Sequence, residues 1–477
     1  MDSVSQQNEF KLSYTCQLRD ATPHVDGYYA IVGGEFVSLQ EWKVRNKFGR
    51  NYAHFDSRVS LDRVWKYISN PRTVARHGFY PFIHYTLSFH KYNKAIGEKK
   101  DKKREICYSA HLDRYIYQYY AFKLNQYYNR RVNIDGLDDV AIAYRDNLHK
   151  NNIHFAKRAI DFIKANPECH VIIGDFTGFF DNLDHDYLKD TICNLLNVDR
   201  LPDDYYAVYK NITRYSCWNL EDLLQFNGLP NNPRGVQAFK QLDRAISPSD
   251  FRIHKKKLVK PHKETFGIPQ GSAISAVLSN IYMLELDRKI NQHVAERQGL
   301  YMRYSDDFIV IFPGSNLDEF KTDFSFITSV IKSIPRLELE PDKTQFFKYT
   351  HGVLSNCNEE ILPNVQKGKN MLNYLGFSFD GKKVRLRDKT ISKYYYRLYR
   401  KLKTIVKRKG VTKHGKRISC ANVYEKYSIK GANESDRGNF ISYVQRAEKV
   451  FAGEDAIGNI RRRHMRQIRK RLNQIEK

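Results

Sequence analysis

The chain has 477 residues, 41% hydrophobic and 13% aromatic, enough for two to four domains with real cores and too apolar for a disordered protein. Its 80 Lys+Arg against 53 Asp+Glu leave a net charge of +27, which points to a polyanionic partner, nucleic acid first and an anionic membrane surface second. No apolar run approaches the roughly 20 residues of a spanning helix, the polar start Met1-Asp2-Ser3-Val4-Ser5-Gln6-Gln7 is unlike a signal peptide, and the seven cysteines include no Cys-x-x-Cys pair, so the chain reads as cytoplasmic, without membrane, zinc or disulfide chemistry.

Residues up to about Val64 are weakly patterned, with Gly33-Gly34 marking a turn between short candidate strands. The very basic stretch Lys99-Lys100-Asp101-Lys102-Lys103-Arg104 reads as a solvated loop leading into Ile106-Cys107-Tyr108. Apolar residues at Leu112, Tyr115, Ile116, Tyr119, Tyr120 and Phe122 predict a helix over 112–127. A second helix, 153–164, ends before Pro167 and feeds the apolar strand Val171-Ile172-Ile173-Gly174-Asp175-Phe176. Between 188 and 263 lie helical patterns and a Pro/Asn/Gly-rich loop, 227–235. A helix over 275–293, a hairpin over 301–312, a helix over 317–334 and short strands near 344–349 and 374–379 follow. Beyond Lys382 the chain turns basic and helical: Ile391, Tyr395, Leu398, Leu402 and Ile405 share one face, and Lys393, Arg397, Arg400, Lys401 and Lys403 take the others. The run Arg461-Arg462-Arg463-His464-Met465-Arg466 repeats the scheme above the stripe Ile468, Leu472 and Ile475. One such helix is ordinarily a solvated face opposite a packed one. Several in one block, on a chain of this charge, suggest a cradle for nucleic acid.

The hairpin carries Tyr304-Ser305-Asp306-Asp307 at its bend. Adjacent carboxylates repel, so folding gives no reason to hold them there, whereas a hard divalent cation does. Asp175, at the end of its own apolar strand, supplies a third acid. Adjacent strands of one sheet would bring the three together, an arrangement able to hold two cations about 3.5–4 Å apart for in-line phosphoryl transfer.

In this order the motifs become recognisable. Gly174-Asp175-Phe176-Thr177-Gly178-Phe179-Phe180-Asp181-Asn182-Leu183-Asp184-His185 resembles the first palm motif of reverse transcriptases of the group II intron and retron kind. Gly267-Ile268-Pro269-Gln270-Gly271-Ser272-Ala273-Ile274-Ser275 resembles their Pro-Gln-Gly motif, followed by the helix Leu278-Ser279-Asn280-Ile281-Tyr282; Tyr304-Ser305-Asp306-Asp307 resembles their Tyr-x-Asp-Asp box, and Asn373-Tyr374-Leu375-Gly376-Phe377 their primer grip. Upstream, Lys102 to Ile106, Asp113-Arg114 and Tyr144-Arg145 resemble fingers motifs. The resemblance covers roughly residues 75–385. Phe79-Tyr80-Pro81-Phe82-Ile83-His84 and Tyr108-Ser109-Ala110-His111 bring the chain nearest the defence-associated branch, the unknown-group and abortive-infection enzymes. Two departures stand out: Ala276 replaces the Pro that many relatives carry after the motif serine, and no zinc or His-Asn-His endonuclease pattern is present.

The resemblance implies roles. Asp175, Asp306 and Asp307 would be catalytic, and with Phe176 they would form the metal site for two Mg²⁺ ions, with Mn²⁺ able to substitute. Phe180 would be a steric gate against the ribose 2′-hydroxyl. Lys102, Arg104, Gln270, Gly271 and Lys343 would join it around the nucleotide, Lys343 as general acid near the leaving pyrophosphate. Arg114, Arg145, Tyr374, Gly376, Arg397, Arg400, Arg462 and Arg466 would contact nucleic acid. His111 and His185 read as structural, and Tyr119, Tyr120 and Tyr394-Tyr395-Tyr396 read mostly as packing residues.

The expected fold is α+β: a right-hand polymerase with an N-terminal extension (1–75), fingers (76–165), a palm of antiparallel sheet with helices (166–380) and a helical basic thumb (381–477). The expected activity is RNA-directed DNA synthesis from dNTPs on a cognate noncoding RNA, giving a cDNA product in antiphage defence, with homo-oligomerisation left open. A template-independent or protein-primed polymerase, an intron maturase or retron-type enzyme, and a catalytically silent RNA-binding protein are the alternatives.

Overall fold

β-branched residues on two neighbouring strands, Val171-Ile172-Ile173 and Ile309-Val310-Ile311, set the middle of the molecule, because such side chains pack well on a pleated sheet. The computed structural model describes residues 37–93, 98–362, 368–411, 421–432 and 438–473, with 89–93, 98–102 and 146 described for backbone only. The chain falls into two units, Met1–Phe36 and Val37–Lys477, and all the described residues belong to the second. Gly33-Gly34, Cys16, Cys420 and Ile475 lie outside them.

In chain order the strands are β1 (Phe82–Asn93), β2 (Glu98–Tyr108), β3 (Glu168–Asp175), β4 (Ser216–Asn219), β5 (Lys260–Pro261), β6 (Leu300–Tyr304), β7 (Asp307–Pro313), β8 (Gln345–Thr350), β9 (Val353–Asn356), β10 (Leu372–Tyr374), β11 (Phe377–Phe379) and β12 (Val384–Leu386). The central sheet, β6-β7-β3-β8-β9, is antiparallel throughout. A second sheet, β2-β1-β4-β5, contains one parallel pair, β1 with β4, and β10-β11-β12 form a small antiparallel third.

The central sheet is covered on both faces, and side chains two apart go to the same side. Ile172, Phe308, Val310 and Phe346 enter a core closed by the helices His111–Ile134, Ser275–Tyr282, Leu284–Glu296 and Leu317–Ser333. Val171, Ile173, Ile309, Ile311 and Phe347 enter the opposite core, closed by the Asn152–Ala165 helix, the β10–β12 sheet and the helices Asp388–Lys407, Phe440–Val450 and Asn459–Leu472. Each strand of the β6–β7 hairpin is therefore gripped from both sides. The α+β class with antiparallel sheets agrees with expectation.

Local departures have local causes. The helix expected over 112–127 runs from His111 to Ile134, because Tyr128 and Val132 extend its buried stripe. The one expected over 275–293 breaks at Met283 into two. Part of the expected 227–235 loop is helical: the Asn232 side chain accepts from the amides of Arg234 and Gly235 and starts the helix Pro233–Phe239. The basic stretch expected as a loop belongs to β2, paired with β1 from Ile83–Tyr108 outward. As the edge strand of its sheet it tolerates charge, and charged edges deter pairing with other chains. Leu39–Asn46 and Leu61–Ile68 are helices, and Trp42 packs 5.7 Å from Tyr119 between ring centroids. Among the described residues no helix is long and apolar enough to cross a membrane.

Candidate active site

Antiparallel pairing of β3 with β7 sets Asp175 directly opposite Asp307. Asp306 sits one residue earlier, in the turn that joins β6 to β7. Burial raises the Asp306 carboxyl above the usual range, and the charge of Asp175 adds to it, against smaller opposing effects of hydrogen bonds and Lys343. Asp307 is pushed up by burial, then by the charges of Asp306 and Asp175. The ammonium of Lys343, on the short turn Pro341–Lys343, pairs with Asp175. Three clustered carboxylates facing one lysine hold excess negative charge on hard oxygen donors, the set that suits Mg²⁺ or Mn²⁺. Among the described residues no three His, Cys, Asp or Glu side chains form a closed metal-holding group, and Asp175 is engaged with Lys343 instead.

A buried polar frame supports this turn from below. Arg303 is fully buried on β6 and grips Asp287 twice, Nε to Oδ1 at 2.8 Å and Nη2 to Oδ2 at 2.6 Å. Tyr301 donates to the same carboxylate at 2.8 Å. Arg303 Nη1 donates to the Ser305 carbonyl at 3.0 Å and to Asn280 Oδ1 at 3.3 Å. An ion pair this deep is stable only with such full hydrogen bonding. From sequence no role falls to Arg303, Asp287 or Asn280, although Arg303 and Asn280 stand beside the motifs. An arginine inside the apolar run Tyr301-Met302-Arg303 is the one signal the sequence offers.

Of the expected nucleotide residues, Gln270 and Gly271 meet the segment after β3 and the end of β2. Phe180 lies on the short 3-10 turn Phe179–Asp181, half-buried, its ring 5.4 Å from that of Phe179. Gln270 donates to the Asp181 carboxylate at 3.2 Å, and its carbonyl accepts the Cys107 amide at 2.8 Å. Gly271 has φ +111°, and a Cβ there would stand 2.5 Å from the Cys107 carbonyl oxygen, so only glycine fits this contact with β2. Arg104 is exposed on β2, while the Lys102 side chain lies outside the described residues. Phe176 is buried with its ring against Phe308 at 5.4 Å, so only its backbone could serve a metal.

Of the residues expected at nucleic acid, the structure separates two sets. Arg397, Arg400, Arg462 and Arg466 are exposed on the two C-terminal basic helices. Arg114, Arg145 and Tyr374 are buried, unlike the exposed set. Arg114 stacks over Tyr115 and donates to Gln118 at 3.3 Å. Arg145 donates to Asn129 at 2.8 Å and to Asp138 at 2.5 Å. Arg145 is thus held by interior partners, whereas Arg114 Nε and Nη2 and the Tyr374 hydroxyl are buried without a hydrogen-bond partner. Gly376, at φ +94°, forms with Leu375 at φ +44° the two-residue β10–β11 turn, where positive φ at both central positions suits a tight hairpin. His111 and His185 are structural as expected, His111 stacked on Tyr52 and His185 bonded to the Gly267 carbonyl at 2.8 Å. Tyr394 is buried and Tyr396 is 63% exposed, so that cluster divides between packing and surface.

Known proteins share features of this chain. Mouse (Mus musculus) telomerase reverse transcriptase is 24% identical over 208 residues, a match covering 37% of this chain and 18% of that protein. The chain thus spans under a fifth of the length of the curated relative it matches. Among solved structures, apo telomerase of Candida tropicalis truncated from its C-terminal domain has 16% identity and a TM-score of 0.38, covering 61% of this chain and 53% of that one. Telomerase of Candida albicans in complex with the TWJ fragment of telomeric RNA has 14% identity and a TM-score of 0.39, covering 87% and 58%. The family profile described as reverse transcriptase (RNA-dependent DNA polymerase) matches residues 96–379, more than half of the chain and the whole span from β2 through β11. The chain belongs to the reverse transcriptase family.

Proposed function

We propose that this protein is an RNA-directed DNA polymerase that extends a 3′-hydroxyl with dNTPs at Asp175, Asp306 and Asp307. The carrying observation is the β3–β7 register, which sets Asp175 against Asp307 with Asp306 beside them. Bound by these carboxylates and the Phe176 backbone, two Mg²⁺ ions, replaceable by Mn²⁺, would supply Lewis acidity to the attacking hydroxyl and the leaving pyrophosphate. The chain's own groups do the rest. Lys343 presents an ammonium beside Asp175, where it can hold a proton for the departing phosphate. Phe180 crowds a ribose 2′-hydroxyl. Gln270, Gly271 and Arg104 border the nucleotide, with Lys102 on the same strand as Arg104. The exposed arginines at 397, 400, 462 and 466 track the phosphates of template and product.

On this reading, residues 1–75 are an extension, 76–165 fingers, 166–380 palm and 381–477 thumb. Motif resemblance to the defence-associated bacterial branch supports a cognate noncoding RNA as template and a cytoplasmic role against phage.

The test is primer extension on an RNA template by Asp306→Ala/Asp307→Ala. Incorporation should fall by at least about a hundredfold, with RNA affinity largely intact. Wild-type incorporation by that variant would refute the mechanism, and undiminished phage protection in cells carrying it would refute a defence role that depends on synthesis.

A further inference from the structure

The residues before the helix Asn152–Ala165 include a segment that lies against the catalytic hairpin. Its Ala141 forms a parallel bridge with Arg303, whose backbone exchanges hydrogen bonds with Val140 at 2.8 Å and Ile142 at 3.0 Å. Asn280 donates to the Ala143 carbonyl at 2.9 Å, and buried Arg145 fastens the next position. Tyr144 is thus fixed on both sides, yet it is 44% exposed and has φ +61°. Ser305, in the catalytic turn, has φ +63°. The left-handed region is unfavourable for any residue with a Cβ, and it persists where the surroundings over-determine it.

These two strained residues meet. The Tyr144 hydroxyl donates to Ser305 Oγ at 3.1 Å, while the Ser305 carbonyl is held by Arg303. Ser305 directly precedes Asp306 in the chain, so whatever fixes the serine also fixes the start of the acidic pair. The turn is therefore fixed from inside by a buried arginine and from the solvent side by one tyrosine hydroxyl. The interior contact is part of the core. The tyrosine contact is half in solvent and serves no packing purpose that phenylalanine would not.

We propose that Tyr144 is a positioning residue for the catalytic turn, its hydroxyl latching Ser305 so that Asp306 keeps the orientation the reaction needs. This rests on the polymerase reading of the three aspartates. Tyr144 acts through Ser305 and need not touch substrate.

The test compares Tyr144→Phe, Ser305→Ala and the double variant with the wild type. Tyr144→Phe should lower kcat about fivefold to tenfold, the effect of one hydrogen bond expressed only at the reacting centre. KM for dNTP should shift by less than about twofold, and the melting temperature should be unchanged. Ser305→Ala should give a similar fall, and the double variant no more than the worse single one, since both remove the same contact. Amide hydrogen exchange at 305–307, measured on the protein without substrate, should be faster in Tyr144→Phe. A wild-type kcat in that variant, additive losses in the double variant, or unchanged exchange would each overturn the latch. Failure of the polymerase reading looks different: no variant, including Asp306→Ala/Asp307→Ala, then departs from the wild type in synthesis, while the exchange measurement still reports on the latch.

Discussion

The arginines beneath the β6–β7 turn and those on the C-terminal helices are the same side chain in opposite environments. Arg303 and Arg145 are buried and bonded to Asp287, Asp138 and backbone carbonyls. Arg397, Arg400 and Arg466 stand exposed on helices whose other faces carry Leu398, Leu402 and Ile468 into the core. In the interior, desolvation makes an unpaired guanidinium costly, and Arg303 and Arg145 each meet a carboxylate there. At the surface, water screens the charge, and the arginine remains available to a polyanion. Positive charge alone thus does not tell where an arginine sits in this chain; burial separates those bonded to interior partners from those left on the surface.

The comparison breaks most sharply at Arg303. Arg303→Ala strands the Asp287 carboxylate in the core and should cost about 3–5 kcal/mol of stability. Arg397→Ala should stay within about 0.5 kcal/mol. Denaturant unfolding of both variants decides it, and equal losses would erase the distinction drawn between the two sets.

A second interior group gives a pH signature. His54 is fully buried, its Nδ1 accepting the Phe55 amide at 2.9 Å while Nε2 faces the Tyr108 carbonyl at 3.2 Å. Burial lowers its pKa from 6.5 to about 3, so the folded protein keeps it neutral. Between those values the unfolded chain binds a proton that the native state refuses, so stability falls as pH drops. The contribution is about 1.4 kcal/mol per pH unit below pH 6.5 and ends near the folded pKa. In urea titrations from pH 7 to 5, His54→Asn should lose this part of the slope; an unaltered slope would show that His54 is not its source.

The smallest structural effect should accompany a clear binding effect at the surface. Arg397→Ala/Arg400→Ala/Arg466→Ala should leave the melting temperature nearly unchanged. RNA affinity should weaken for all sequences alike, and the log–log salt slope should shrink by about one for each phosphate that no longer meets an arginine. A salt slope equal to that of the wild type would remove the C-terminal helices from the RNA path.

Much of the site is legible in the amino-acid sequence because its chemistry is carried by short, ordered segments. Asp175 ends a continuous apolar run, Asp306 and Asp307 interrupt another, and Gln270-Gly271 sits in a turn whose glycine has a steric reason. The mismatches also have causes. Lys99 to Arg104 resembles a loop because charge outweighs pattern, yet an edge strand needs backbone pairing on one side only and tolerates lysine. Arg114 and Arg145 resemble phosphate contacts because sequence does not tell whether a guanidinium faces water or a buried partner.

By itself, then, the sequence determined which strands carry the acids, the continuous apolar runs that let the central sheet be covered on both faces, and the basic, amphipathic character of the C-terminal helices, since each depends on neighbours within a few residues. The tertiary structure alone decided that Asp175 opposes Asp307, that Arg303 and Asp287 meet beneath the turn, and that Tyr144 reaches Ser305 from 161 positions away in the chain. Those are pairings between distant segments, and their partners are chosen by strand register and desolvation, which no local pattern encodes.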